Sequence, residues 1–254
     1  MPVPFRRTAV AAVLALAAAA AQAQSSGQLM FTSLNSAEDG WAMVALTDLA
    51  PNTTVWFTDN EWTGSAFNTG ESYHRWDTGA GTIAAGTVVR FRAIDNATTL
   101  AASIGTLARQ AVSGSTNYGI SQTADTVYAY LGTSATAPTT FLSAISSGGL
   151  SATNGLLTNT GLAVGTSAIE FAGSVGFAQY VGARSTLTEF SSYASLVANA
   201  ANWTNTTATG FGTLTPDTTA FTVQPIPEPS ELAFMLAGLG LAGAVARRRA
   251  RRAA

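Results

Sequence analysis

Asp59, Asn60 and Glu61 stand side by side in a chain of 254 residues. Consecutive carboxylate and amide oxygens are ligands that Ca²⁺ accepts, and Glu38, Asp39 and Asp48 add further carboxylates nearby in sequence. The spacing fits neither an EF-hand nor a nonapeptide calcium repeat. The competing reading is an Asx turn that ends a strand with solvated carboxylates. Trp56, Trp62 and Trp76 lie close together with Trp41, Phe67 and Tyr73. Flat rings beside acids could stack on sugar faces, although such rings more often fill cores. Glu71 and His74 are three residues apart, a spacing that offers two ligands on a helix. Gly70 before them and Gly79 and Gly81 after them favour a loop or strand instead, so the lone His reads as a surface or hydrogen-bonding residue. The sequence contains neither G-x-S-x-G nor H-E-x-x-H. With no Cys, a disulfide scaffold, a zinc–thiolate centre and a cysteine nucleophile are all excluded. Two acids from distant strands could still meet as a glycoside-hydrolase pair. That leaves an enzyme as the third reading, with no catalytic residue assigned.

The elements that must position these residues read as strands. Val88 to Ala93 alternates, with Val89, Phe91 and Ala93 on one face and Arg90 and Arg92 on the other. Trp41 to Leu46 is continuously apolar, as a strand buried on both faces would be. Thr126 to Leu131 sets Val127, Ala129 and Leu131 against Tyr128 and Tyr130. In Thr54 to Thr58, Trp56 falls opposite Val55 and Phe57. Three of the strands are preceded by one turn device: Ala50-Pro51-Asn52-Thr53, Ala84-Ala85-Gly86-Thr87 and Ala163-Val164-Gly165-Thr166. Each puts Asn or Gly third, where a type II turn needs positive φ. One short helix is expected near residues 187–199, opened by a capping box at Thr186 and Glu189. A last strand near Phe221 to Val223 should close the sheet. The expected fold is mainly β, a single antiparallel β-sandwich over residues 24–224.

Both ends of the chain have a different character. Arg6 and Arg7 precede an uncharged small or apolar run from Thr8 to Ala20, and Ala21-Gln22-Ala23 follows. This fits a secretory signal peptide over residues 1–23, with Ala21 and Ala23 framing a cut before Gln24. The apolar run makes only about 20 Å of helix against a hydrocarbon core of roughly 30 Å. The Arg pair leaves general secretion and the twin-arginine route both open. At the other end, residues 225–231 form a Pro-rich linker containing Pro227-Glu228-Pro229. Residues 232–254 then hold an apolar span and the basic cluster Arg247, Arg248, Arg249, Arg251 and Arg252. The span is expected to be a transmembrane helix, with the arginines on the cytoplasmic side. Residues 24–226 keep five of the 12 basic residues and 12 of the 14 acidic ones, a formal charge of −7. Such a surface disfavours nucleic acid as a partner.

The order Pro-Glu-Pro, apolar span, arginine cluster resembles the PEP-CTERM sorting signal of Gram-negative bacteria. The resemblance implies export, an inner-membrane-anchored precursor, and processing by an exosortase near Pro227, Glu228 and Pro229. It further implies a place at the cell surface or in the extracellular matrix, alongside exopolysaccharide. Within the domain, Val55-Trp56-Phe57-Thr58-Asp59-Asn60-Glu61-Trp62, Asp125 to Tyr130 and Asn202-Trp203-Thr204 loosely resemble lamin-tail-like or immunoglobulin-like modules of exported bacterial proteins. That resemblance implies a non-catalytic structural or adhesive role. The alternative is a carbohydrate- or calcium-binding module built on residues 56–76. No resident cofactor is expected, Ca²⁺ excepted.

Overall fold

A computed structural model describes residues 24–225 and the isolated positions 234, 236, 237 and 248. Ala21, Ala23, Pro227, Glu228, Pro229, Arg247 and Arg249 therefore lie outside the described residues, as do nearly all of the signal, the linker and the membrane span. Among the described residues no helix is long and apolar enough to cross a membrane.

Two six-stranded sheets pack face to face. The first contains β1 (Leu29–Asn35), β2 (Gly40–Ala45), β5 (Val88–Arg92), β6 (Ala101–Ala102), β11 (Phe177–Tyr180) and β12 (Trp203–Thr206), in the order β12-β11-β1-β2-β5-β6. The second contains β3 (Thr54–Thr58), β4 (Tyr73–Asp77), β7 (Thr106–Arg109), β8 (Thr126–Ser134), β9 (Ala137–Ser146) and β10 (Ala168–Glu170), in the order β10-β9-β8-β3-β4-β7. The mainly β sandwich is as expected. One pairing departs from the antiparallel pattern: β10 runs parallel to β9. Every residue of β2 is buried, because one face meets the opposing sheet and the other is covered.

The period-two alternation of β3 and β4 sorts the aromatic residues into two layers. Val55, Phe57 and Trp76 face the opposing sheet with Trp41 and Phe91. Trp56, Tyr73, Tyr128, Tyr130 and, on β9, Phe141 face outward, where Trp62 and Phe67 roof them into a second core. Six of these rings, all but Trp56, meet edge-on or tilted, as Phe67 does with Tyr130 at 5.2 Å and Trp62 with Phe141 at 5.0 Å.

The turn device is present three times. Asn52 (φ +57°), Gly86 (φ +87°) and Gly165 (φ +82°) all take the left-handed conformation. Gly86 matters most. Its N–H donates to the Ala45 carbonyl, and its own carbonyl accepts from the Phe221 N–H. A Cβ there would lie 2.2 Å from the Phe221 oxygen and 2.6 Å from the Phe190 ring. Gly86→Ala therefore combines backbone strain with a clash against main chain. It should cost about 2 kcal/mol or more, read as a lowered urea midpoint of the isolated domain.

The one short helix falls within the expected residues 187–199, but its capping-box opening and the late strand need correction. The helix, α1, spans only Tyr193–Ala198, behind a 3₁₀ turn at Phe190–Ser192, and Glu189 makes no side-chain cap. Leu187 explains the delay: its N–H donates to the Tyr193 hydroxyl and its carbonyl accepts from the Gln224 N–H. Those bonds engage Leu187 outside any helix, where the capping box would have begun one. Phe221 to Val223 is not a strand. Phe221 instead buries its ring against Tyr180 and Tyr193, and the last strand of the first sheet is β12.

Candidate functional site

The open ends of β3 and β4 bring Asp59, Ser72 and His74 together. Asp59 follows the last residue of β3, Ser72 precedes the first of β4, and Thr58 pairs with Tyr73 between them. All three are buried. Asp59 Oδ1 lies 2.6 Å from Ser72 Oγ and accepts from the Ser72 N–H at 2.8 Å. Ser72 Oγ is 3.4 Å from His74 Nδ1, and His74 Nε2 is 3.2 Å from the Ile94 carbonyl. Trp41, Ile94, Ile120 and Val127 close the surroundings, leaving no space for a water molecule.

Ser72 Oγ donates to Asp59 Oδ1, and the Ile94 carbonyl only accepts, so His74 donates to it from Nε2. Burial favours the neutral form at both ends of the row. It raises the Asp59 pKa well above the ordinary carboxylate range, against the Ser72 hydrogen bond. It also lowers that of His74 to about 4, against the Ile94 hydrogen bond and with Arg109 adding to the decrease.

The residue types are those of a nucleophilic triad, but the order is not. The serine sits between the acid and the imidazole, whereas a nucleophile must stand at the end of the relay, facing a substrate. This row is internal polar packing.

Around it lies a rim of acids. Asp39 accepts from the Ile120 N–H at 2.6 Å. Its pKa rises to about 6, first from burial and then from the negative charges of Asp95 and Asp125. Burial also raises Glu71 and Asp125, with Asp125 acting on Glu71 and Glu61 acting on Asp125.

The side chains of the expected calcium ligands point apart. Asp59 turns inward to Ser72. Asn60 donates to Thr58 Oγ1 and the Ser72 carbonyl and accepts from the Glu71 N–H. Glu61 is bound by Asn68. Among the described residues no three His, Asp or Glu side chains gather as a metal site. Glu71 and His74 also separate, with Glu71 bonding to Asn117 while His74 enters the core.

The expected sugar platform at Trp56, Trp62 and Trp76 is corrected. All three rings are buried, at 8%, 6% and 0% exposure. Cross-strand register explains why. Val55 pairs with Trp76 and Trp56 with Arg75, so Trp56 and Trp76 lie on opposite faces of one sheet. The indole N–H groups of Trp56, Trp62 and Trp76 donate to the carbonyls of Gly132, Thr158 and Ile104.

Ser72 was not singled out in the sequence, and Asp39 and Asp125 carried no role beside it: Asp39 counted only as a further carboxylate and Asp125 only as part of a module resemblance. The alternation Ser72-Tyr73-His74 does place Ser72 and His74 on one face, but the partners Ile94, Ile120 and Asp125 come from distant segments.

The opposite pole of the sandwich holds both ends of the domain. Gln24 is buried, and its amide donates to the Asp48 carbonyl and accepts from Thr47 Oγ1, both at 3.0 Å. Asp48 Oδ1 accepts from Ala85, next to the Gly86 that bonds Phe221. One run of bonds thus joins the start of the domain to its end. Beside it, Ser25, Ser26, Gln28, Thr166, Ser167 and Ser191 line an open cleft of about 400 Å³ without charged side chains.

Residues 225–252 match the PEP-CTERM protein-sorting motif. No curated protein and no solved structure matches the chain. The motif implies an exported chain that is anchored in a membrane, processed by an exosortase and sorted to the cell surface.

Proposed function

We propose that the chain is a non-catalytic structural or adhesive component of the cell surface or extracellular matrix, associated with exopolysaccharide. The observation that carries this reading is the sorting motif over residues 225–252. Two features support it. The acids and aromatic residues that suggested chemistry in sequence are engaged in packing and internal hydrogen bonds. Both ends of the domain leave from one pole, so a membrane-held precursor would present the acid-rimmed pole outward.

The test replaces Pro227, Glu228 and Pro229 with Ala in the producing cell. The expected outcome is a full-length precursor retained in the membrane fraction, with little protein at the surface or in the matrix. A chain ending at residue 231 should instead escape as a soluble, cooperatively folding domain that no longer co-extracts with polysaccharide. Wild-type distribution of the triple variant would overturn the sorting reading. Unchanged polysaccharide association of the truncated chain would overturn the need for sorted display.

A further inference from the structure

The open cleft beside the domain ends is built from three separate segments. Residues 25–28 form one side and the turn over residues 161–167 a second. Ser191 and Ala194, in the 3₁₀ turn and in α1, form the third. The second side contains the third copy of the turn device, Ala163 to Thr166. A volume of about 400 Å³ lies within the range of small-molecule pockets.

The polar groups of the cleft are of mixed kind. Ser167 is 6% exposed, and its Oγ accepts from the Ala163 N–H at 3.0 Å. Among the described residues its hydroxyl proton has no acceptor, so the cleft holds a buried donor without a partner. Gln28 Oε1 accepts from the Ser25 N–H at 2.8 Å, which leaves the amide hydrogens of Gln28 to donate. Thr166 Oγ1 donates to the Ala163 carbonyl and Ser26 Oγ to the Phe141 carbonyl, so both keep lone pairs that can accept. Leu46 and Ala194 add C–H surface among them. A metal cation calls for acceptors alone. An anion calls for donors and positive charge. The cleft offers donors and acceptors together and no charged side chain. That combination fits a neutral ligand dense in hydroxyl groups, each of which donates and accepts at once, with ring C–H groups against Leu46 and Ala194. The formal charge of −7 over residues 24–226 further disfavours a polyanion such as a uronate chain.

We propose that this cleft binds a neutral saccharide, a short stretch of hexose rings whose hydroxyls bond Ser167 and Ser191. The inference rests on the surface-component reading above and gives its polysaccharide contact a place in the fold. An open cleft with few bonds holds its ligand weakly, so retention on a polymer depends on many copies displayed together. A soluble single domain washes free, as expected above for the chain ending at residue 231.

The test titrates the full 254-residue chain by calorimetry, in micelles of a detergent without a sugar headgroup. The probes are oligosaccharides of glucose, of mannose and of galactose, and an oligogalacturonate of equal length. Ser191→Leu fills the cleft from an exposed position, and Ser167→Ala removes the buried donor. Ser113→Leu is the control, exposed between Val112 and the Ser115 that bonds Asn60 at the other pole. Thermal unfolding checks that each variant folds, and Ser191→Leu carries the test if Ser167→Ala does not. Wild type and Ser113→Leu should bind at least one neutral saccharide and not the uronate. Ser191→Leu and Ser167→Ala should bind about tenfold more weakly, the usual effect of one lost hydrogen bond of this kind. No neutral saccharide bound by wild type, a preference for the uronate, or equal binding by Ser191→Leu would overturn the proposal. Failure of the surface-component reading shows separately, as wild-type distribution of the variant without Pro227, Glu228 and Pro229, whatever the titrations give.

Discussion

Trp76→Ala should destabilise the isolated domain by about 4 kcal/mol, the usual range for emptying a buried Trp site. The ring is fully buried and lies between Phe57, at 6.4 Å and nearly parallel, and Phe91, at 5.0 Å and edge-on. Its N–H donates to the Ile104 carbonyl at 2.8 Å. Truncation removes apolar burial, two ring contacts and that donor together. The cavity opens between two sheets that other side chains already hold apart, so it cannot collapse fully. Trp76→Phe keeps most of the packing and loses the hydrogen bond, and should cost about 1–2 kcal/mol. Urea unfolding of residues 24–225 measures both. A sugar-stacking residue would behave in the opposite way, with unfolding unchanged and ligand binding lost. A stability loss below about 0.5 kcal/mol for Trp76→Ala, the range typical of surface positions, would place the ring at the surface after all.

The same tryptophan shows how far the sequence could be read. Alternation within β3 puts Trp56 across from Val55 and Phe57, and that much of the layer assignment is local. Whether Trp56 and Trp76 share a face depends on strand register, a relation between two segments joined by a long loop. Residue types do not reveal it until the pairing of Val55 with Trp76 is known. The turns were legible for the reason the register was not. Positive φ at Asn52, Gly86 and Gly165 is a property of a few adjacent residues. The capping box failed because Leu187 answers to Gln224 and Tyr193, which are distant or lie downstream. The Asp59–Ser72–His74 row was half visible. Its members come from one hairpin, but burial turned the carboxylate from a solvated ligand into an internal hydrogen-bonding group. That burial is supplied by Trp41, Ile94, Ile120 and Val127.

The rim above that row should make the domain more sensitive to neutral pH than to mild acid, and Asp39→Asn isolates the effect. Asp39 faces Asp95 and Asp125 and receives one N–H from Ile120, and its pKa rises from 3.8 to about 6. Between those two values the folded domain holds a proton that the unfolded chain has released. Stability therefore falls as pH rises from about 4 to about 6, by the linkage between proton binding and folding. Asp59, Glu71 and Asp125 are raised too and push the same way. His74 pushes oppositely, because its lowered pKa leaves the unfolded state binding more protons between about 4 and 6.5. Comparing variant with wild type cancels the His74 contribution. Asn keeps an oxygen for the Ile120 N–H, and it tolerates the left-handed φ of +50° at this position better than most residues. Asp39→Asn should thus equal wild type near pH 4 and exceed it above about pH 6.5. The gain should be roughly 1 kcal/mol, because solvent screens the exposed edge of the carboxylate and reduces the full linkage value. Thermal unfolding at low salt across that range measures the gap, which should narrow in high salt to the extent that repulsion from Asp95 and Asp125 contributes. A variant less stable than wild type at pH 7 would mean that the ionised carboxylate is favoured in the fold, and that the acid rim is held together by its charges and not in spite of them.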